Sequence, residues 1–76
     1  MFDAITASLL NGDHIGHIIE FDWLFPASLV KARISGELRE IHHASEGYVD
    51  VWLSNSESGE KEEFSIYVGK KVDVYA

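Results

Sequence analysis

Four histidines are the residues whose chemistry is simplest to name. His14 and His17 lie three positions apart, and His42 and His43 are adjacent. Imidazole is the commonest transition-metal ligand in proteins, so these four are the candidate metal ligands. Residues at odd separations in a β-strand point to opposite faces, so neither pair converges on one ion. One histidine from each pair could meet beside a carboxylate, but the spacing does not require it. We expect neither a metal nor another cofactor.

The side chains needed for nucleophilic catalysis are missing from the sequence. It contains no cysteine, no glycine-rich phosphate loop and no serine in a nucleophile-elbow context. Glu62 and Glu63 are adjacent and would face opposite sides of a strand, so they cannot share one substrate. We therefore expect a protein that is not an enzyme.

Aromatic residues recur at positions that the strand alternation turns away from the core: Tyr48, Trp52, Tyr67 and Tyr75. Such residues are enriched at protein interfaces and contribute strongly to affinity when they leave solvent. The four rings are therefore a predicted interaction surface. The alternative is that some of them pack beneath a helix or a loop.

Acidic residues outnumber basic ones by thirteen to six, and the net charge is −7. Nucleic-acid backbones are bound by clustered Lys and Arg, so this balance disfavours nucleic acid as a partner. A local patch is still possible, and its candidate nucleic-acid or anion contacts are Lys31, Arg33, Arg39, Lys70 and Lys71. The acids either mimic a polyanion or keep a small protein soluble.

The hydrophobic pattern predicts a single domain over residues 1–76 that is mainly β. Asp3 reads as the N-cap of a short helix over about 4–10, and alternation predicts strands over about 14–25, 29–42, 48–54, 62–68 and 71–75. Gly36 lies on the inward side of the longest strand, where a bend or a close backbone approach is favoured. These elements predict a short N-terminal helix followed by a five-stranded, strongly bent antiparallel small barrel.

The first ten residues, MFDAITASLL, have no basic region and no long apolar run. They do not match a signal peptide or a membrane span, so we expect a cytoplasmic protein with no membrane partner. A chain of 76 residues without disulfides has a small core, which favours a homo-oligomer.

Two segments resemble the Sm-like family of SH3-like small β-barrels. Residues 64–75 (FSIYVGKKVDVY) are similar to its final strand, glycine turn and short strand, and residues 34–38 (ISGEL) are similar to its bent second strand. The resemblance implies rings or dimers formed through the edges of the fourth and fifth strands. Residues 41–46 lack the asparagine that the family's RNA binders carry before the third strand, whereas Lys70 and Lys71 keep basic character in the last turn.

These observations favour a non-enzymatic interaction module that self-associates and binds a protein or a small ligand. In size and acidic character the chain resembles accessory and anti-defence proteins of phages and mobile elements. The first alternative is an Sm-like nucleic-acid-binding protein. The second is a purely structural assembly subunit.

Overall fold

One antiparallel sheet accounts for most of the described chain. The computed structural model describes residues 2–44, 46–55 and 59–75. Its strands are β1 (Phe2–Thr6), β2 (Ile18–Leu24), β3 (Lys31–His43), β4 (Tyr48–Ser54), β5 (Glu62–Tyr67) and β6 (Lys71–Tyr75). Two short 3₁₀ turns, Ala7–Leu9 and Gly12–His14, connect β1 to β2. Over these residues the sheet is open, with the order β1-β6-β2-β3-β4-β5.

The prediction of an N-terminal helix followed by a five-stranded barrel is wrong. Residues 2–6 form β1, which pairs with β6 from Phe2 opposite Tyr75 to Thr6 opposite Lys71. A helix of seven residues is marginal in water, whereas this segment gains a ladder of hydrogen bonds by adding to the sheet. Leu9, which lies within the predicted helix, belongs to a 3₁₀ turn and is exposed.

The remaining strands lie close to the predicted segments. β4 and β6 have the predicted bounds, and β5 ends at Tyr67. β2 begins at Ile18 instead of near His14, because residues 12–14 form a 3₁₀ turn. The Asn11 side chain caps this turn by accepting a hydrogen bond of 2.8 Å from the Asp13 amide.

The core lies on the inner face of a strongly curled sheet. Its fully buried side chains come from β2, β3, β4, β5, β6 and the segment after β1, and the largest are Phe21, Leu10, Ile19, Leu38 and Ile66. Phe64 of β5 contacts Phe21 and Trp23 of β2, with ring centroids 5.7 Å and 5.1 Å apart, although β3 and β4 lie between these strands. The sheet therefore encloses its core by curling, and among the described residues no hydrogen-bonded ladder joins β1 to β5.

β3 approaches β4 closely at a glycine and is interrupted by a bulge. A Cβ atom on Gly36 would lie 3.1 Å from Leu53 Cβ, so the close approach expected at this position is present. The pairing with β4 shifts between Leu38 and Glu40. A bulge moves the following residues to the opposite face. Ile41 consequently packs against the core, and His42 lies on the outer face.

Candidate interaction surfaces

Three of the four predicted aromatic residues lie on the outer face of β4 and β5. Tyr48 and Tyr67 are directly opposite each other in the ladder, both are exposed, and their rings meet edge to face with centroids 6.3 Å apart. Trp52 is half-buried, and its ring contacts His42 at 6.0 Å. This surface offers two free phenol rings and part of an indole.

Tyr75 lies on another part of the sheet, because β2 and β3 separate β6 from β4. Its ring contacts Phe2 at a centroid distance of 5.2 Å, and Ile18 is its partner on β2. Partial burial raises the pKa of the Tyr75 phenol, and the charges of Glu20 and Asp73 raise it further. The structure therefore places Tyr75 in a second apolar strip, apart from the other three rings.

Each histidine has a local partner within the fold. His14 Nδ1 accepts a hydrogen bond of 3.0 Å from a backbone amide in its own turn, and His17 Nδ1 donates to a β6 carbonyl at 3.0 Å. His43 Nε2 donates to the Leu10 carbonyl at 2.6 Å, whereas His42 packs against the indole of β4. Within the described ranges, no group of three or more His, Asp or Glu side chains is placed to hold a metal ion.

Arg33 is surrounded by three carboxylates on the outer face, Glu20, Asp22 and Asp73, which we call the acidic cluster. Its guanidinium lies 3.4 Å from Glu20 and 3.2 Å from Asp22, and it also donates a hydrogen bond to Asp73. The hydrogen bond with Asp73 is the main cause that raises the pKa of Arg33. The other oxygen of Asp73, Oδ1, is buried and has no hydrogen-bond partner among the described residues. Arg33 is thus engaged by three carboxylates, which leave the cluster net negative, and it is not free to hold a phosphate.

The other basic residues divide into paired and unpaired groups. Arg39 pairs with Glu37 at 3.2 Å, and Lys61 pairs with Glu40. In the part of the chain that the structure describes, the cations without a carboxylate partner are Lys31, Lys70 and Lys71. Of the five predicted anion contacts, these three lysines are available to a ligand.

Two of the unpaired lysines line one cavity of about 570 Å³. The cavity lies between the β2–β3 hairpin and the turn before β6. Its walls are formed by Asp22, Trp23, Leu24, Lys31, Ala32, Arg33 and Lys70. Trp23 and Ala32, which are paired in the ladder, line the cavity from one face of the hairpin, and Leu24 and Lys31 line it from the other.

The segment 24–30 (LFPASLV), which we call the apolar loop, exposes four large hydrophobic side chains. Leu24, Phe25, Leu29 and Val30 are 48%, 42%, 67% and 54% exposed. The loop backbone is tied by hydrogen bonds from the Phe25 amide to the Val30 carbonyl, 3.0 Å, and from the Leu29 amide to the Phe25 carbonyl, 2.8 Å. Leu29 has a φ of 59°, a left-handed conformation that is costly for a side chain other than glycine.

The sequence analysis missed the apolar loop, because it assigned residues 24–25 and 29–30 to strands and left only residues 26–28 between them. A signal was present, because no charged residue occurs between Asp22 and Lys31. Loops normally carry polar residues, and a run of this length without charge suggests either burial or a contact surface. Only the structure shows that these side chains remain exposed.

The predicted rings or dimers would form through the edges of the last two strands, which are β5 and β6 in the structure. The edge of β6 is not available for this, because β1 pairs with it. Within the described chain the outermost strands are β1 and β5. β1 carries Asp3, and β5 carries Glu62 and Glu63, so joining the two edges would bring acids together. Charge on edge strands opposes such pairing.

Comparison of this chain with protein-family models, curated proteins and solved structures finds no match. The Sm-like resemblance therefore stays a prediction. Among the residues that were searched, no helix is long and apolar enough to cross a membrane.

Proposed function

We propose that this protein is a non-enzymatic interaction module that binds another protein through the apolar loop. The observation that supports this most directly is the exposure of four large hydrophobic side chains on a backbone held by its own hydrogen bonds. Contiguous exposed apolar groups of this kind mark contact sites on monomeric proteins. A loop that is ordered before binding also loses less conformational entropy when the partner arrives.

The free energy that burial of the apolar loop can contribute indicates how much of the whole interface the loop accounts for. Full burial of one such side chain contributes about 1.5–3 kcal/mol, so the exposed fractions of the four amount to about 3–6 kcal/mol. A micromolar complex needs about 8 kcal/mol after the cost of association is met. The apolar loop therefore acts as the centre of a larger interface.

The partner should present carboxylates beside its apolar surface. Lys31 follows the apolar loop directly, and Lys70 lies across the adjoining cavity, both without an ion-pair partner in the described chain. A two-fold contact through this face would bring lysines of both copies together. Self-association through this face would therefore be head to tail, with the apolar loop of one copy against acidic residues of the next.

A photo-crosslinking side chain at Val30 tests this proposal in the cells that produce the protein. The matched control carries the same group at Tyr67, which is also exposed but lies on β5. We expect discrete protein adducts from position 30 that are lost in the Leu29→Asp variant. Absence of a discrete adduct at position 30, or an adduct unchanged by Leu29→Asp, would overturn the proposal.

The identity of the adduct separates the roles that remain open. A heterologous host protein would support an accessory or anti-defence role, in which the apolar loop occludes a surface of its target. Adducts containing only a second copy of this chain would support a structural assembly subunit.

A further inference from the structure

We propose that the cavity lined by Trp23 and Lys70 binds a small anionic ligand that carries a planar ring, of the nucleoside phosphate class. This site differs from the protein contact proposed above in that it uses the cavity walls and needs no partner protein. The two proposals share Leu24, Lys31 and Lys70, and a titration with a small ligand alone tests the cavity without the protein contact.

The ring-binding element is the indole of Trp23, which the core holds in place. Its ring contacts Phe64 at a centroid distance of 5.1 Å and Phe21 at 6.2 Å, both nearly perpendicular. Trp23 is only half-buried and forms part of the cavity wall with Leu24 and Ala32. A fixed and accessible aromatic ring of this kind stacks on planar ligands, and it accepts any base because every base has a π-face.

The anion-binding element is Lys70, since Lys31, although it also lines the cavity, pairs with Leu24 and lies on the face of the hairpin opposite to Trp23. The chain as a whole has a net charge of −7, yet Lys31 and Lys70 have no carboxylate partner in the described residues. The one acid in the wall, Asp22, is paired with Arg33 at 3.2 Å. The cavity is therefore a locally basic site on an acidic protein, and an ammonium group is a common partner for phosphate.

The dimensions favour a small molecule as the occupant. A volume of about 570 Å³ lies within the range of about 300–1,000 Å³ that is usual for small-molecule sites. A ring on the indole, with its phosphate at Lys70, would use both parts of the wall at once. The same chemistry occurs in a free nucleotide and at a nucleotide of single-stranded nucleic acid.

The fluorescence of Trp23 provides a direct test. The chain has two tryptophans, so Trp52→Phe leaves Trp23 as the sole reporter. This variant is titrated to millimolar concentrations with adenosine monophosphate, adenosine, inorganic phosphate and a short oligo(dA) at low and high salt. Isothermal titration calorimetry on the unaltered chain checks the affinities without relying on fluorescence. The reciprocal variant, Trp23→Phe, reports from Trp52, which lies outside the cavity.

We expect saturable quenching of Trp23 by adenosine monophosphate that weakens as salt rises. Lys70→Gln should raise its Kd about tenfold, the effect of losing one charge-assisted hydrogen bond. Lys61→Gln is the matched control, because Lys61 pairs with Glu40 and lies outside the cavity, and it should leave Kd unchanged. Both are surface substitutions, and circular dichroism confirms that each variant is folded.

Several results would overturn the inference. These are no saturable signal from Trp23, equal losses from Lys70→Gln and Lys61→Gln, or adenosine or phosphate alone binding as tightly as the nucleotide. Much tighter binding of the oligonucleotide than of the mononucleotide would support the site and identify single-stranded nucleic acid as its source. Equal affinities would support the site and identify a free nucleotide.

Discussion

Leu29 stores backbone strain at the tip of the apolar loop, and substitutions there should separate strain from packing. Its φ is 59°, and its side chain is 67% exposed. A left-handed conformation costs an L-residue about 1–2 kcal/mol. The buried third of the side chain contributes about 0.5–1 kcal/mol, taken from the 1.5–3 kcal/mol of a fully buried leucine.

Leu29→Ala should lose the packing and keep the strain, and its stability should fall by about 0.5–1 kcal/mol. Leu29→Gly should lose the same packing but relieve the strain, while greater freedom of the unfolded chain costs about 0.5–1 kcal/mol. The net change for glycine is therefore close to zero. The glycine variant should be the more stable of the two, by up to about 1.5 kcal/mol.

Leu9 supplies the matched control. Its side chain is 60% exposed, and its φ is not positive. Within the described chain, Leu29 is the one residue other than glycine whose φ is positive. At Leu9 the order should reverse, with glycine less stable than alanine by about 0.5–1 kcal/mol.

Urea unfolding followed by tryptophan fluorescence measures all four free energies of unfolding. A shift of 1 kcal/mol moves the midpoint by about 0.3–1 M, given the slope usual for small proteins. If Leu29→Gly proved less stable than Leu29→Ala, as at Leu9, the left-handed conformation would carry no strain and the argument would fail. Both Leu29 variants should also weaken the Val30 crosslink, because each removes the most exposed apolar side chain of the loop.

Two further predictions concern the charged outer face. Arg33→Ala should lower the melting temperature more than Arg39→Ala, because Arg39→Ala breaks only a single ion pair. The difference should shrink in 1 M salt, where the Debye screening length falls to about 3 Å. Thermal scans at two salt concentrations check this, and a difference that does not depend on salt would contradict it. The pKa of Tyr75 in the folded chain is raised above its ordinary value of 10.0. As the pH rises through 10.0, the unfolded chain loses a proton that the folded chain retains, so the stability should fall. Tyr75→Phe should reduce this alkaline loss in urea unfolding series, whereas an equal reduction by Tyr67→Phe, remote from the acidic cluster, would refute the assignment.

The candidate sites could be predicted only in part, because residue type is visible in the sequence and pairing across the sheet is not. Lys31, Lys70 and Arg33 were all expected as anion contacts, and nothing local distinguishes them. The structure separates them by their neighbours, since Arg33 reaches Asp73 forty positions away, whereas the two lysines have no carboxylate partner in the described chain and line a cavity. The apolar loop was overlooked for the related reason that exposure depends on what the rest of the chain covers.

Local periodicity determined β4 and β6 with their bounds. The alternation of Val49, Val51 and Leu53 with polar or aromatic neighbours predicted β4, and the same pattern predicted β6. The inward place of Gly36 followed from the same alternation, because side-chain direction in a strand depends only on position along it.

Tertiary structure decided the fate of the N-terminal segment and the form of the sheet. Residues 2–6 have a sequence compatible with a helix, and they become a strand because the free edge of β6 offers them backbone partners. Whether the sheet closes or only curls depends on contacts such as Phe64 with Trp23, which join segments about forty residues apart. Such long-range pairing leaves no periodic trace in the sequence, and for that reason only the folded chain reveals it.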